Sequence, residues 1–154
     1  MKRRSFLKGT LATGAAVLAA NAGLLAPNTV MAAWNEKAFT VKKVDDSLAA
    51  LYGSSATTDG GAIKFKAHAI AENGLVVPIT VDATKMDNVE SISLFVESNP
   101  VPLVTNFDFT GAQGYVSTRI RMGKTSNVVA VVKSGGKLYK AAKEVKVTIG
   151  GCGG

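Results

Sequence analysis

Between residues 63 and 149 apolar and polar side chains alternate in short runs, each closed by turn chemistry, and this constrains the fold more than any other feature. A period of two places every second side chain on one face of a strand, so each run can bury one face and wet the other. In 63–70, Ile63, Phe65, Ala67 and Ala69 face one way, and Lys64, Lys66 and His68 the other. Asn73-Gly74 follows, a pair that readily supplies the positive φ angles of a tight hairpin. The next run aligns Val77, Ile79 and Val81, with Pro78 marking an edge position or bulge. Further strands are expected at 92–96, 103–109 and 115–122, and two more, 128–133 and 138–149, flank a Gly135-Gly136 turn. That gives about seven strands, with no helical stretch long enough for parallel crossovers. The expected fold is mainly β: an antiparallel β-sandwich of immunoglobulin-like architecture.

Ahead of the strands, residues 34–52 have a helical pattern. Trp34, Phe39, Leu48 and Leu51 are candidates for burial, Asn35 and Asp45 or Asp46 can cap two short helices, and Gly53 is a stop signal. This lead-in is expected to pack on the main domain, with residues 54–61 as a turn-rich linker. Hydrophobic residues make up 47 % of the 154, enough for a real core, while aromatics make up only 6 %, so valine and isoleucine must fill it. A partner's docking surface is sought on the lead-in and on the edge strands, whose unpaired backbone invites pairing.

The formal charge of +7 suggests a polyanion partner until its location is considered. Lys2, Arg3, Arg4 and Lys8 lie in the first ten residues, and no acidic residue precedes Glu36. Taking those four from the 18 basic residues leaves 14 against 11 acidic ones, a net +3. That is a mildly basic domain, not a clamp for nucleic acid. The leading charges belong to an export signal. Arg3-Arg4, with Phe6, Leu7 and Lys8, resembles the twin-arginine signal, which carries folded proteins across the bacterial inner membrane. A mildly apolar stretch follows, interrupted by Gly14, Asn21, Gly23 and Pro27, which suits a signal better than a spanning helix of ~20 apolar residues. Val30-Met31-Ala32 supplies the small residues of a cleavage site. The expected organisation is therefore a signal peptide over 1–32, a helical lead-in plus sandwich over 33–149, and a terminal arm over 150–154. The mature protein is expected in the periplasm, free of the membrane.

Enzyme constellations come up short. His68 is the only histidine, and its alternation with lysines points to an exposed strand residue rather than a base or ligand. One histidine and one cysteine far apart do not make a metal site. No Ser/His/Asp set or phosphate-binding glycine loop is evident. What remains is Gly150-Gly151-Cys152-Gly153-Gly154. A single cysteine in an exported protein points to intermolecular pairing or a reactive thiol. Cys152 is flanked by glycines, which leave the segment conformationally permissive, and no apolar neighbour is present to tie it to a core. Five extended residues reach about 17 Å, far enough to enter a channel in another protein. With no cation in sequence nearer than Lys146, activation of the thiol is expected to come from the partner's site.

These features resemble the SoxY family, the sulfur carriers of bacterial thiosulfate oxidation. The resemblance is carried by the twin-arginine leader, by Ala71-Glu72-Asn73-Gly74 running into Val77-Pro78-Ile79, and above all by Val147-Thr148-Ile149 followed by the glycine–cysteine segment. It implies that Cys152 is the attachment residue for sulfur intermediates and that Gly150, Gly151, Gly153 and Gly154 form its swinging arm. It also implies a heterodimer with a smaller subunit, SoxZ. A cytochrome complex, SoxXA, would join thiosulfate to the cysteine, and a dimanganese hydrolase, SoxB, would release sulfate and leave a persulfide. In some organisms a sulfane dehydrogenase acts further. Haem and manganese would belong to those partners, leaving this chain without a cofactor and without a catalytic residue of its own.

Two other readings compete. Gly153-Gly154 also matches a ubiquitin-like carrier activated as a C-terminal thiocarboxylate, but that activation uses ATP, a cytoplasmic resource. A non-catalytic periplasmic binding module on the same sandwich would keep its function without the last five residues.

Overall fold

The computed structural model describes residues 35–148. The export signal, its cleavage site, Trp34 and the segment 149–154 lie outside the described residues.

Two sheets face each other across one core. The larger runs in the order β1 (Thr58–Asp59), β9 (Lys137–Val147), β8 (Ser126–Ser134), β5 (Val89–Val96) and β6 (Leu103–Asp108), and β3 (Ile70–Ala71) also pairs with β9. The smaller contains β2 (Lys64–Ala67), β4 (Val77–Asp82) and β7 (Tyr115–Ile120), with β4 in the middle. Alternation works as expected on β4, where Val77, Ile79 and Val81 are buried and the residues between them are not. They meet Ile92, Leu94 and Val96 of β5, Val128, Ala130 and Val132 of β8, and Val116 and Ile120 of β7. Pro78 lies opposite Arg119 of β7, and the pairing with β2 begins only at Ile79, so Pro78 has a strand neighbour on one side only. His68 is exposed just beyond β2, as its alternation with lysines implied.

The strands β5 and β8 are buried on both faces. Beneath their second face lies a separate cluster in which Phe95, Leu103, Val129, Val131 and Leu138 pack against Ala38 and Leu48. Ala38 and Leu48 belong to a short 3-10 helix, Glu36–Phe39, and to helix α1, Val44–Tyr52. The lead-in thus covers the outer face of the larger sheet, and burying a side chain the size of Phe95 there contributes ~2–3 kcal/mol. Ala38 and Leu48 are buried there, while Phe39, Val44, Leu51 and Tyr52 are partly covered. Asn35 caps the first turn, accepting from the Ala38 N–H at 3.3 Å. Helix α1 begins one residue before Asp45, so neither Asp45 nor Asp46 is its cap. Both sit in the first turn, where a carboxylate complements the helix dipole. Gly53 ends α1 in the left-handed conformation, its N–H bonded to the Ala49 carbonyl.

Three further expectations need correction. The stretch 54–61 is not purely a linker, because Thr58–Asp59 pairs with Tyr139 and Lys140 of β9. The sheets are not wholly antiparallel, because β1 and β3 both run parallel to β9. Asn73-Gly74 does not form a tight hairpin: neither residue has positive φ, and β2 and β4 are joined by a longer loop that contains β3. The Gly135-Gly136 turn between β8 and β9 does have two positive φ angles, 55° and 75°.

Candidate functional site: the root of the glycine–cysteine segment

Cys152, Gly150, Gly151, Gly153 and Gly154 lie outside the described residues. The structure therefore bears on the site through the point where the chain leaves β9, and that point is firmly held. On one side β3 lies parallel to the end of β9, with Ile70 opposite Lys146 and Ala71 opposite Val147. The Lys146 N–H donates to the Ala69 carbonyl at 2.9 Å, and the Thr148 N–H to the Ala71 carbonyl at 3.0 Å. On the other side the Val147 N–H donates to Thr125 Oγ1 at 3.0 Å. Each backbone N–H from Lys146 to Thr148 is bonded, so β9 is fixed up to the last described residue.

An open cleft of about 360 Å³ adjoins this root. Its walls come from the loop 72–75, from Arg121, Met122 and Gly123 after β7, and from Val147 and Thr148. The walls are cross-braced. The Met122 N–H donates to the Gly74 carbonyl at 2.7 Å. The Asn99 side chain holds the second wall at two points, donating to the Arg121 carbonyl at 2.9 Å and accepting from the Gly123 N–H at 3.1 Å. Asn73 folds the first wall by accepting from the Leu75 N–H at 2.9 Å. A Cβ at Gly74 would run into the Met122 carbonyl and the Val147 side chain, so this position needs glycine for close approach, not for its φ. Around the cleft Ile70, Leu75 and Val76 are half or more exposed, an apolar rim beside the departing chain. The guanidinium of Arg121 has no hydrogen-bond or ion-pair partner among the described residues, where the one ion pair is Lys133–Glu90.

Sequence reasoning placed the chemistry on Cys152 but missed Arg121, Asn99 and Thr125. Asn99-Pro100, a turn signal, and the position of Arg121 just beyond a strand were the available cues. No group of three His, Cys, Asp or Glu side chains is arranged to hold a metal among the described residues. A second polar cluster lies under the lead-in. The Tyr52 hydroxyl sits 2.9 Å from Ser91 Oγ, also contacts Ser93 Oγ, and donates to Asn106 Oδ1 at 3.2 Å. Burial raises its pKa, with the two serine contacts partly offsetting the effect.

Comparison with known proteins places this geometry. The family model described as sulfur oxidation protein SoxY matches residues 48–152, a span that includes Cys152. The model of the twin-arginine translocation pathway signal sequence matches residues 1–20. No curated protein matches the chain. The solved structure of the sulfur carrier protein SoxY from Chlorobium limicola f thiosulfatophilum is 47 % identical, with a TM-score of 0.62 over 70 % of this chain and 97 % of that one. The superoxide reductase (neelaredoxin) from Ignicoccus hospitalis shares the fold alone, at 19 % identity and a TM-score of 0.50 over 56 % of this chain and 80 % of that one. Both sheets, the lead-in, the exported leader and the matched span through Cys152 lead to one conclusion: the chain belongs to the SoxY family, as a periplasmic carrier exported by the twin-arginine pathway and not an enzyme.

Proposed function

We propose that Cys152 holds sulfur intermediates of thiosulfate oxidation covalently, and that Gly150, Gly151, Gly153 and Gly154 let it enter the sites of partner enzymes. The observation that carries this reading is the placement of the chain's only cysteine, among glycines, four residues beyond Thr148, whose N–H is bonded to the Ala71 carbonyl. A rigid root followed by glycines transmits little strain to the sandwich when the cysteine is engaged elsewhere. The apolar rim of Ile70, Leu75 and Val76 beside that root supports docking by partners, because a protein surface gains by covering such groups.

The chemistry balances as two steps. At a cytochrome partner, SoxXA, the thiol and thiosulfate lose two electrons and one proton together, a sulfur–sulfur bond forms, and a cysteine S-thiosulfonate results. At a hydrolase partner, SoxB, water attacks the terminal sulfur, the bond between the two outer sulfurs breaks, and sulfate and a proton leave a persulfide on Cys152. Haem and manganese belong to those partners. The smaller subunit, SoxZ, would complete the carrier as a heterodimer, and in some organisms a sulfane dehydrogenase would take the remaining sulfur.

The organisation follows the same reading: a leader over 1–32 removed on export, a domain over 33–149, and the arm over 150–154. The two sheets correspond to an immunoglobulin-like sandwich. In support, β4 pairs with β7 in one sheet while β5 pairs with β8 in the other, so the β4–β5 and β7–β8 connections both cross between sheets, as the B–C and E–F connections do in that architecture.

Intact-mass analysis tests the assignment. After incubation with thiosulfate and the cytochrome complex, the mature protein is expected to gain one thiosulfonate group, removable by a thiol reductant and absent from Cys152→Ser. An adduct that maps to another residue, or that persists in the serine variant, overturns it.

A further inference from the structure

We propose that Asn73 is a self-modification site: the Gly74 nitrogen closes a succinimide on its side chain, ammonia leaves, and water opens the ring to an acid. The inference is independent of the sulfur chemistry, and every group it uses lies among the described residues.

Asn73-Gly74 is the chain's only asparagine–glycine pair, and glycine puts no side chain in the way of its own nitrogen. The Gly74 N–H has no hydrogen-bond partner among the described residues, although the Gly74 carbonyl accepts from the Met122 N–H at 2.7 Å. Asn73 is exposed, so water and hydroxide reach it. Its Oδ1 accepts from the Leu75 N–H at 2.9 Å, in a turn closed by the Val76 N–H on the Asn73 carbonyl at 3.2 Å. When the Gly74 nitrogen attacks Cγ, negative charge develops on that Oδ1, and the Leu75 N–H already aimed at it serves as an oxyanion donor. The other described asparagines lack this combination. Asn99 precedes Pro100, whose nitrogen has no proton to lose. Asn35, Asn88, Asn106 and Asn127 precede Glu36, Val89, Phe107 and Val128, whose side chains crowd the nitrogen.

The step is not a redox one. A nitrogen–Cγ bond forms, the bond from Cγ to the side-chain amide breaks, and ammonia carries away the proton lost by Gly74. Water then cleaves one of two bonds. Cleaving the new one gives aspartate on an unchanged main chain, with a carboxylate added beside Glu72. Cleaving the original peptide bond gives isoaspartate, which routes the main chain through the side chain and lengthens it by one carbon. Even a Cβ on Gly74 would run into the Met122 carbonyl and the Val147 side chain. The longer chain therefore cannot keep Gly74 seated, and the two products differ in stability. Packing demands Gly74 and the turn uses Asn73, so the reactive pair is built into the fold.

The test incubates the mature chain in mildly alkaline buffer, folded or held unfolded in urea, and follows each asparagine by peptide mapping with mass spectrometry. In the folded chain, conversion of amide to acid is expected at Asn73 at least about tenfold faster than at any other asparagine, a barrier difference of ~1.4 kcal/mol. With the Leu75 N–H in place, the folded chain is expected to react at Asn73 at least as fast as the unfolded one. The isoaspartate form, separated by chromatography, is expected to melt at least about 4 °C below Asn73→Asp. Conversion spread over several asparagines, or a folded chain that reacts more slowly than the unfolded one, overturns the assignment of Asn73. Equal melting of the isoaspartate form and Asn73→Asp overturns the claim that the seat of Gly74 separates the two products.

Discussion

At the scale of residues, the Tyr52 hydroxyl links elements far apart in sequence. It joins the end of α1 to Ser91 and Ser93 of β5 and to Asn106 of β6, and Asn106 passes the chain of bonds to Asp108 at 3.0 Å. Tyr52→Phe removes that hydroxyl while keeping the ring. It is expected to cost about 1–2 kcal/mol in a denaturant titration, the usual cost of hydrogen bonds whose partners stay partly buried. The pH dependence follows from the raised pKa of Tyr52. The unfolded chain ionises this phenol near its ordinary value of about 10, whereas the folded chain ionises it only at higher pH. The contribution is therefore complete below pH ~10 and is lost as pH rises through the folded value. Wild-type stability is expected to fall more steeply than that of Tyr52→Phe above pH ~10. Parallel slopes would contradict the assignment. This clasp was hard to read from the sequence, because Tyr52 stood only as the last residue of a helical pattern. Ser91 and Ser93 gave a fair signal in retrospect: they alternate with Ile92 and Leu94 in a strand otherwise buried on both faces, and buried hydroxyls need partners.

At the scale of elements, two very short strands flank β9, β1 near its start and β3 at the root of the arm. β1 and β3 have two residues each, and both owe their existence to pairing with β9. Alternation cannot reveal an element of two residues, which is why the sequence suggested about seven antiparallel strands where nine occur among the described residues. The longer strands were legible because each has a face, or two, in a core that tolerates little else. Asn73-Gly74 was legible as a special position for the wrong reason. Its glycine allows a wall to approach Met122 and Val147, and no period or turn rule registers a contact between distant loops. Gly74→Ala is expected to destabilise the domain by ~1–3 kcal/mol, the range for forcing a methyl group into packed structure. Thermal unfolding unchanged from wild type would show that the walls yield more easily than their hydrogen bonds suggest.

At the scale of the whole molecule, a packed two-sheet domain precedes the short segment on which the proposed chemistry is placed. The core and the lead-in hold the domain together. That division explains what the sequence could reveal. Cys152 stood out in the sequence as a lone cysteine among glycines, whereas Arg121, Asn99 and Thr125 come together only through folding. The central claim is that oxidation proceeds on this one sulfur. Its most direct test is sulfate production from thiosulfate in a reconstituted system with SoxZ, the cytochrome complex and the hydrolase, comparing wild type with Cys152→Ser at equal fold stability. Sulfate is expected to form with the wild-type chain and to drop at least a hundredfold with the serine variant. Sulfate formed at the wild-type rate with Cys152→Ser would contradict it.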